Sequence, residues 1–134
     1  MLNLNNKGQS LVMFIVLIPI ILLVITLVYD IGNAICDKNN LSNTNYLAID
    51  YALDNIDTVS SEELNELIKK NDNNIDNINI IIESDEVDIT LNKKYYGIVG
   101  KLFNFDIVDI NSEYDGKIVN DKKSIERIKW YYGW

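Results

Sequence analysis

The sequence predicts an α+β protein in which a long N-terminal helix precedes a small head of helices and antiparallel strands. Three features of the chain lead to this prediction. An uncharged apolar run lies near the N-terminus, a stretch with helical periodicity follows it, and the second half places apolar residues at alternate positions. Because successive side chains of a strand point to opposite faces, the change to alternation indicates a sheet.

The apolar run extends over Leu11–Val28, and Thr26 is its single polar residue. A helix of this length spans about 27 Å, close to the hydrocarbon thickness of a bilayer. Residues 9–29 are therefore predicted to form a transmembrane helix after a polar leader, residues 1–8. A buried core helix is the alternative, but a small domain has too little interior to cover a helix that is apolar on every side.

The distribution of charge predicts the orientation of this helix. The chain has a net charge of −8, and Lys7 is the only charged side chain before Asp30. The positive-inside bias therefore predicts a single-pass protein of the cytoplasmic membrane, with its N-terminus inside, its acidic domain outside and membrane lipid as a partner. An acidic domain repels phosphate groups, so no nucleic-acid partner is expected.

The cysteine and histidine content excludes several kinds of chemistry. With Cys36 as the only cysteine and no histidine, the chain can form neither an internal disulfide nor a Cys/His zinc site, and it has no Ser-His or Cys-His pair. No phosphate-cradling glycine loop occurs in the sequence. We therefore expect no enzymatic activity, no metal and no cofactor.

Three motifs around the apolar run point to a known family. Lys7-Gly8-Gln9-Ser10 precedes the run, Pro19 interrupts it, and Asp30-Ile31-Gly32 follows it. In these features the sequence resembles the TadE-like proteins, the minor pilins of tight-adherence, Flp-type pili. The resemblance implies a pilin-like fold and a role in pilus assembly or surface adhesion, with other pilin-like subunits and the pilus assembly machinery as partners.

The resemblance also implies roles for individual residues. A prepilin-type peptidase would cleave after Gly8 and leave Gln9 as the new N-terminus, so the apolar helix would remain as an anchor. Met13 stands where such pilins usually carry a glutamate, which favours a rare, initiating or non-polymerising member over a main subunit. The residues implied in helix packing are Met13, Pro19, Asp30 and Gly32.

A secreted or membrane-tethered binding module of an unrelated family is the alternative function. Gly32-Asn33-Ala34 supplies a small-x-small pattern of the kind that signal peptidase recognises. Cleavage after Ala34 would remove the apolar helix and leave a product that begins at Ile35.

Residues 30–56 show the periodicity of an amphipathic helix, which would continue the transmembrane helix as a stalk. The weak place is 39–45, where Asn, Ser and Thr side chains favour caps and turns. The helix either breaks there and restarts with Asn43 or Thr44 as N-cap, or it runs on for roughly 70 Å.

Residues 57–134 are predicted to form a small extracytoplasmic α+β head. Ser60 and Glu63 have the spacing of a capping box and start a helix that ends at Lys69-Lys70. A hairpin is then predicted, with its turn at Ser84-Asp85, because apolar residues alternate with polar ones on both sides. These apolar residues are Ile78, Ile80, Ile82, Val87, Ile89 and Leu91.

Three further segments complete the predicted head. A third strand is expected over Phe103–Ile110, and Ile118-Val119 is expected to pair briefly with the sheet. Ser124–Tyr132 is expected to form either a short helix or a strand. The C-terminal aromatic residues either close the core or offer a contact surface, and they are Trp130, Tyr131, Tyr132 and Trp134.

Two acidic patterns have the composition of a binding or catalytic site. The first pattern has the spacing of a calcium loop and consists of Asp72, Asn74, Asp76 and Glu83. Against a calcium loop, Asn77 stands where glycine is required, and a strand is predicted within the loop. The second has no accompanying nucleophile or histidine, so a solvated turn is favoured; its residues are Glu83, Asp85, Glu86 and Asp88.

Overall fold

A computed structural model of the protein describes residues 6–104 and 108–128. Within these ranges the chain has the α+β architecture that the sequence predicts, with a long N-terminal helix, small helices and an antiparallel sheet. The elements in chain order are α1 (Asn6–Asp54), α2 (Ser61–Asn71), β1 (Asn77–Ile82), β2 (Glu86–Tyr95), α3 (Ile98–Phe103), β3 (Val108–Val119) and β4 (Lys122–Arg127).

Helix α1 is unbroken over its 49 residues and is about 73 Å long. The predicted weak place at 39–45 remains helical, and the side chain of Asn45 within it is bonded to the sheet. The Asn45 amide is buried and donates to the backbone carbonyl oxygens of Ile89, at 2.9 Å, and Ser112, at 3.0 Å. An amide engaged with the sheet no longer competes for the backbone of its own helix, so the segment stays helical.

The four strands form an antiparallel meander in the order β1-β2-β3-β4. The predicted hairpin is confirmed, since β1 pairs with β2 and the Glu83 N–H donates to the Glu86 carbonyl oxygen at 2.8 Å across the turn. Alternate residues of β2 point towards α1 and are buried, whereas those between them face outwards. The core consists of Leu41, Ala48, Ile49, Ala52, Leu53, Leu64, Ile68, Ile75, Val87, Ile89, Leu91 and Ile110.

Gly116 on β3 lets α1 lie close to the sheet. A Cβ atom at this position would collide with Ile49 Cγ2 and would lie 3.0 Å from Leu53 Cδ1. Both neighbours are buried core side chains of α1, so neither can move aside without disturbing the core. The absence of a side chain at 116 therefore sets the distance between helix and sheet.

Helix α2 begins after the predicted N-cap and ends one residue beyond the predicted end at Lys70. Ser60 is the N-cap, and its hydroxyl accepts a hydrogen bond from the Glu63 N–H at 3.2 Å, as expected for a capping box. The helix ends at Asn71, and the Asp72 N–H donates to the Ile68 carbonyl oxygen. Leu64 and Ile68 lie one turn apart and are both buried in the core.

The prediction of a strand starting at Phe103 is wrong. Phe103 is the last residue of α3, and Asn104 follows it in the left-handed conformation that ends a helix. Strand β3 starts at Val108, and residues 105–107 of the predicted strand lie outside the described residues. The alternation of Phe103, Phe105 and Ile107 suggests a strand from Phe103 onwards, but a contact from α1 to the first turn of α3 stabilises a helix over Ile98–Phe103.

Strand β3 is longer than predicted, since Ile118-Val119 forms its last two residues rather than a separate segment. A two-residue turn at Asn120 and Asp121 follows, with φ values of 51° and 59°. Asn and Asp adopt this left-handed conformation more readily than most residues, which suits a tight hairpin. For the segment after Ser124, the sequence allowed either a helix or a strand. The described part of it is a strand, because β4 continues to Arg127.

Replacing Gly116 with alanine is expected to destabilise the head. Because the added methyl group would overlap Ile49, we expect the Gly116→Ala substitution to lower the free energy of unfolding by about 1–3 kcal/mol, the usual cost of overpacking. Chemical unfolding of the full chain in detergent micelles, followed by circular dichroism, measures this change.

Gly32→Ala is the matched control for this experiment. A Cβ at Gly32 meets no described atom within 4 Å, so this variant should be at least as stable as the parent, given the higher helix propensity of alanine. Equal stability of the Gly116→Ala variant and the parent would contradict the close helix-to-sheet packing.

Candidate functional site

The N-terminal half of α1 projects from the head without cover. Every apolar side chain from Leu11 to Val28 is exposed, and no other part of the described chain buries this segment. It forms part of the one helix, among the described residues, that is long and apolar enough to span a membrane. The Thr26 hydroxyl donates to the Leu22 carbonyl oxygen at 2.8 Å, so its polar group is satisfied within the helix. A core helix would be covered, so the described chain does not use this segment as its own core.

Most of the helix-surface residues singled out in the sequence are exposed on α1. Gly8, Gln9 and Met13 lie in its first turns, and Pro19 lies inside the helix without ending it. Gly32 is also exposed, and its Cβ position faces open space among the described residues. The fold of the head therefore does not require glycine at 32, although glycine costs a helix about 1 kcal/mol relative to alanine.

Asp30 differs from these residues because it is buried, with 1% of its surface exposed. Its two carboxylate oxygens accept hydrogen bonds from the backbone N–H groups of Ile98 and Val99, each at 2.9 Å. These N–H groups belong to the first turn of α3, where a helix has no internal acceptors and where a negative charge is favourable. Asp30 thus caps α3 from a different part of the chain.

A partly buried ion-pair cluster joins α1 to β2 and to the end of α2. Lys93 Nζ lies 2.8 Å from Asp72 Oδ2 and 3.6 Å from Asp37 Oδ2, and the side chain of Lys93 is 10% exposed. Burial alone would lower the pKa of Lys93, but its hydrogen bond to Asp72 and the charge of Asp37 outweigh burial and raise it. Burial alone would raise the pKa of Asp72, but the bonds from Lys93 and from the Asn74 N–H lower it.

The calcium-loop pattern does not form a calcium loop in the described structure. Asp72 is paired with Lys93, and Asp76 Oδ2 accepts a hydrogen bond from the Lys94 N–H at 2.7 Å. Strand β1 runs through the remainder of the pattern, so Glu83 lies beyond the strand and away from a common centre. Two of the carboxylates that the spacing suggests as ligands, Asp72 and Asp76, are therefore bonded within the head itself.

A second group of carboxylates lies on the outer face of the sheet, which the sequence pattern only partly predicted. Glu86 and Asp88 lie on β2 rather than in a turn, and Asp115 on β3 joins them, with carboxylate oxygens within 4.8 Å of one another. Asp115 was missed because it comes close only through strand pairing. Lys117 Nζ lies 2.8 Å from Glu86 and 3.3 Å from Asp115, and it compensates their charge.

The pKa values in this group follow from its geometry. The hydrogen bonds to Glu86 and Asp115 raise the pKa of Lys117 to about 12, and the bond from Lys117 lowers the pKa of Glu86. Burial and then the charge of Asp115 raise the pKa of Asp88, which lies directly opposite it in the strand register. The arrangement is an acidic sheet surface on which one lysine offsets part of the charge of three carboxylates.

The C-terminal aromatic residues, predicted as a contact surface or a core closure, lie outside the described residues.

No protein-family model, curated protein or solved structure matches this chain. The resemblance to TadE-like proteins therefore depends on the motifs around the apolar run alone.

The Asp72–Lys93 pair predicts a loss of stability in acid. Because the pKa of Asp72 is lower in the folded protein than its ordinary value of 3.8, its contribution is present above that value and is lost as the pH falls through the folded pKa. We expect Asp72→Asn to be less stable than the parent by about 1 kcal/mol near neutral pH. This difference should shrink as the pH falls below 3.8.

Chemical unfolding of the full chain in micelles at a series of pH values tests this prediction. Asp57→Asn is the control, since Asp57 is exposed and should show no such pH-dependent difference. A gap between Asp72→Asn and the parent that stays constant into acid would show that the ion pair does not cause the difference.

Proposed function

We propose that the protein is a membrane-anchored structural subunit of the minor-pilin or pseudopilin kind. In this proposal α1 holds the chain in the cytoplasmic membrane as a single pass, the N-terminus lies inside, and the head lies outside. The subunit takes part in pilus assembly or surface adhesion by packing α1 against the corresponding helices of other pilin-like subunits. Its partners are membrane lipid, those subunits and the assembly machinery.

The observation that supports this proposal best is the division of α1 into a bare half and a packed half. Residues before Asp30 have no cover within the described chain, whereas Leu41, Ile49 and Leu53 form the centre of the head core. One continuous helix therefore joins an apolar rod to a sheet with no linker between them. The proposal requires this arrangement, in which a long helix half projects and half lies inside a small α+β head.

The open surface around Gly32 supports packing between helices. Val28, Gly32 and Ile35 lie along one exposed side of α1, three or four residues apart. Small residues allow the backbones of neighbouring helices to approach closely, so two α1 helices that pack through their apolar halves would stay in close contact as far as Gly32, just beyond the predicted span. A glycine that its own fold does not require is well suited to such a contact.

The role of Asp30 favours processing after Gly8 over secretion after Ala34. Cleavage after Ala34 would remove Asp30 and leave the first N–H groups of α3 without their acceptor. Cleavage after Gly8 would remove only the leader and would keep every described contact between α1 and the head. The structure of the head is thus compatible with the pilin route and loses a cap in the secretory route.

The processing step predicts a defined N-terminus in the organism that makes the protein. We expect mature protein that begins at Gln9, detected by intact mass and N-terminal sequencing of membrane-extracted material. A chain that begins at Ile35 would favour the secreted binding module, and an intact Met1 would favour a plain anchor. Gly8→Leu is the matched variant, and it should block conversion to the mature form.

Packing through the Gly32 surface predicts self-association in membranes. Full-length chains, labelled with donor or acceptor dyes at Ser124→Cys in a Cys36→Ser background, should transfer energy in lipid vesicles and lose transfer when lipid dilutes them. The Gly32→Leu substitution should weaken association by about 1–2 kcal/mol, which is roughly a tenfold shift in the dilution midpoint.

Asp57→Leu is the control for the association experiment, because it adds the same side chain to an exposed turn of the head. It should leave the dilution midpoint unchanged. Equal midpoints for Gly32→Leu and the parent would contradict packing through this surface.

A further inference from the structure

The connection between β2 and β3 has an unusually apolar surface for an acidic head. It contains α3, which buries Val99 and Gly100 and turns other apolar side chains outwards. Leu102 is 75% exposed and Phe103 is 62% exposed. A helix of two turns with large apolar side chains outside has a surface suited to a water-poor environment.

The contact with Asp30 fixes the position of α3 along α1. Asp30 comes two residues after Val28, the last residue of the apolar run, and it holds the first N–H groups of α3 at 2.9 Å. Leu102 comes four residues after Ile98, about 6 Å along α3, so the exposed part of α3 begins at the level of Asp30, close to the end of the apolar run. The headgroup layer on each side of a bilayer is of similar depth, about 5–8 Å.

The composition of this end of the head matches that of a membrane interface. Tyr29 and Tyr96 are exposed near the end of the apolar run, where aromatic rings with a polar group are favoured. The opposite end of the sheet has polar turns instead, with Asp85 in one and Asp121 in the other.

We propose that α3 is a second membrane contact, which inserts Leu102 and Phe103 into the boundary between headgroups and acyl chains on the head side of the bilayer. This inference rests on the proposed membrane anchoring of α1 and deepens it. The head then lies on the bilayer at a fixed tilt instead of standing free on its helix. Interfacial helices of this kind bury their apolar face about 5–10 Å deep.

A lipid surface fits this patch better than a second protein does. A stable protein interface uses about 20–30 residues on each side, whereas the exposed apolar surface of α3 comes from a few side chains. Its position beside the apolar run makes it continuous with the surface that lipid would already cover. Shielding by a second copy of the chain is a separate outcome of the experiment below.

The experiment measures the depth of single labelled positions in vesicles. The full chain, in a Cys36→Ser background, carries an environment-sensitive NBD probe at Leu102→Cys and is reconstituted in phosphatidylcholine vesicles with doxyl-labelled lipids. Val119→Cys is the matched control, since Val119 is also exposed and apolar but lies at the far end of β3, about 35 Å from its first residue, Val108. Leu23→Cys, in the apolar half of α1, reports the anchoring itself.

We expect blue-shifted emission at 102, with roughly half of it quenched by doxyl lipid, strong quenching at 23 and little quenching at 119. Quenching at 23 without quenching at 102 would overturn this inference and leave the anchoring intact. Blue-shifted emission at 102 that doxyl lipid does not quench would indicate shielding by protein and would overturn it too. Absence of quenching at both 23 and 102 would overturn the anchoring, and the inference with it.

Discussion

The structure depends on one constraint, which is that a single continuous helix must suit two different surroundings along its length. Before Asp30, α1 is apolar on all sides and has no cover. Beyond Asp30 it becomes amphipathic, and small residues such as Ala48 and Ala52 allow it to lie directly against the sheet. On the sheet, Gly116 of β3 has no side chain to hold α1 away. The helix and sheet therefore pack without an intervening layer of large side chains.

Local sequence patterns predicted the elements whose stability is mostly local. The capping box at Ser60, the alternation in the hairpin and the apolar run are all readable within about ten residues, and each is present in the structure. Helix α3 could not be predicted in this way, because its N-terminal acceptor is Asp30, which lies 68 residues away from Ile98. The continuity of α1 through Asn45 has the same cause, since its amide bonds to the sheet across a separation of 44 residues.

Only part of the candidate site could be predicted, because some of its contacts join residues that are far apart in the sequence. Exposed positions such as Gly32 follow from helical periodicity, so their place on α1 could be foreseen. Asp30 could be marked as important by its position after the apolar run, but no pattern indicated that it would be buried as a cap. The calcium-loop spacing suggested Asp72 as a ligand, but Asp72 pairs with Lys93 instead. Lys93 is 21 residues away in the sequence, so the local spacing gives no sign of this pair. Pairing across strands likewise brings Asp115 to Glu86, which lies far from it in sequence.

The absence of a linker between α1 and the head has a mechanical consequence. Because Asn45, Ile49 and Leu53 tie the second half of α1 to the sheet, any rotation or tilt of the apolar half must move the head with it. Contacts between apolar helices would therefore also determine how neighbouring heads face one another. The polar outer face of the sheet points away from α1, so packing of the helices would leave its acidic surface in water. In a subunit of the proposed kind, the apolar surface of α1 and the charged surface of the sheet would therefore lie on separate parts of the molecule.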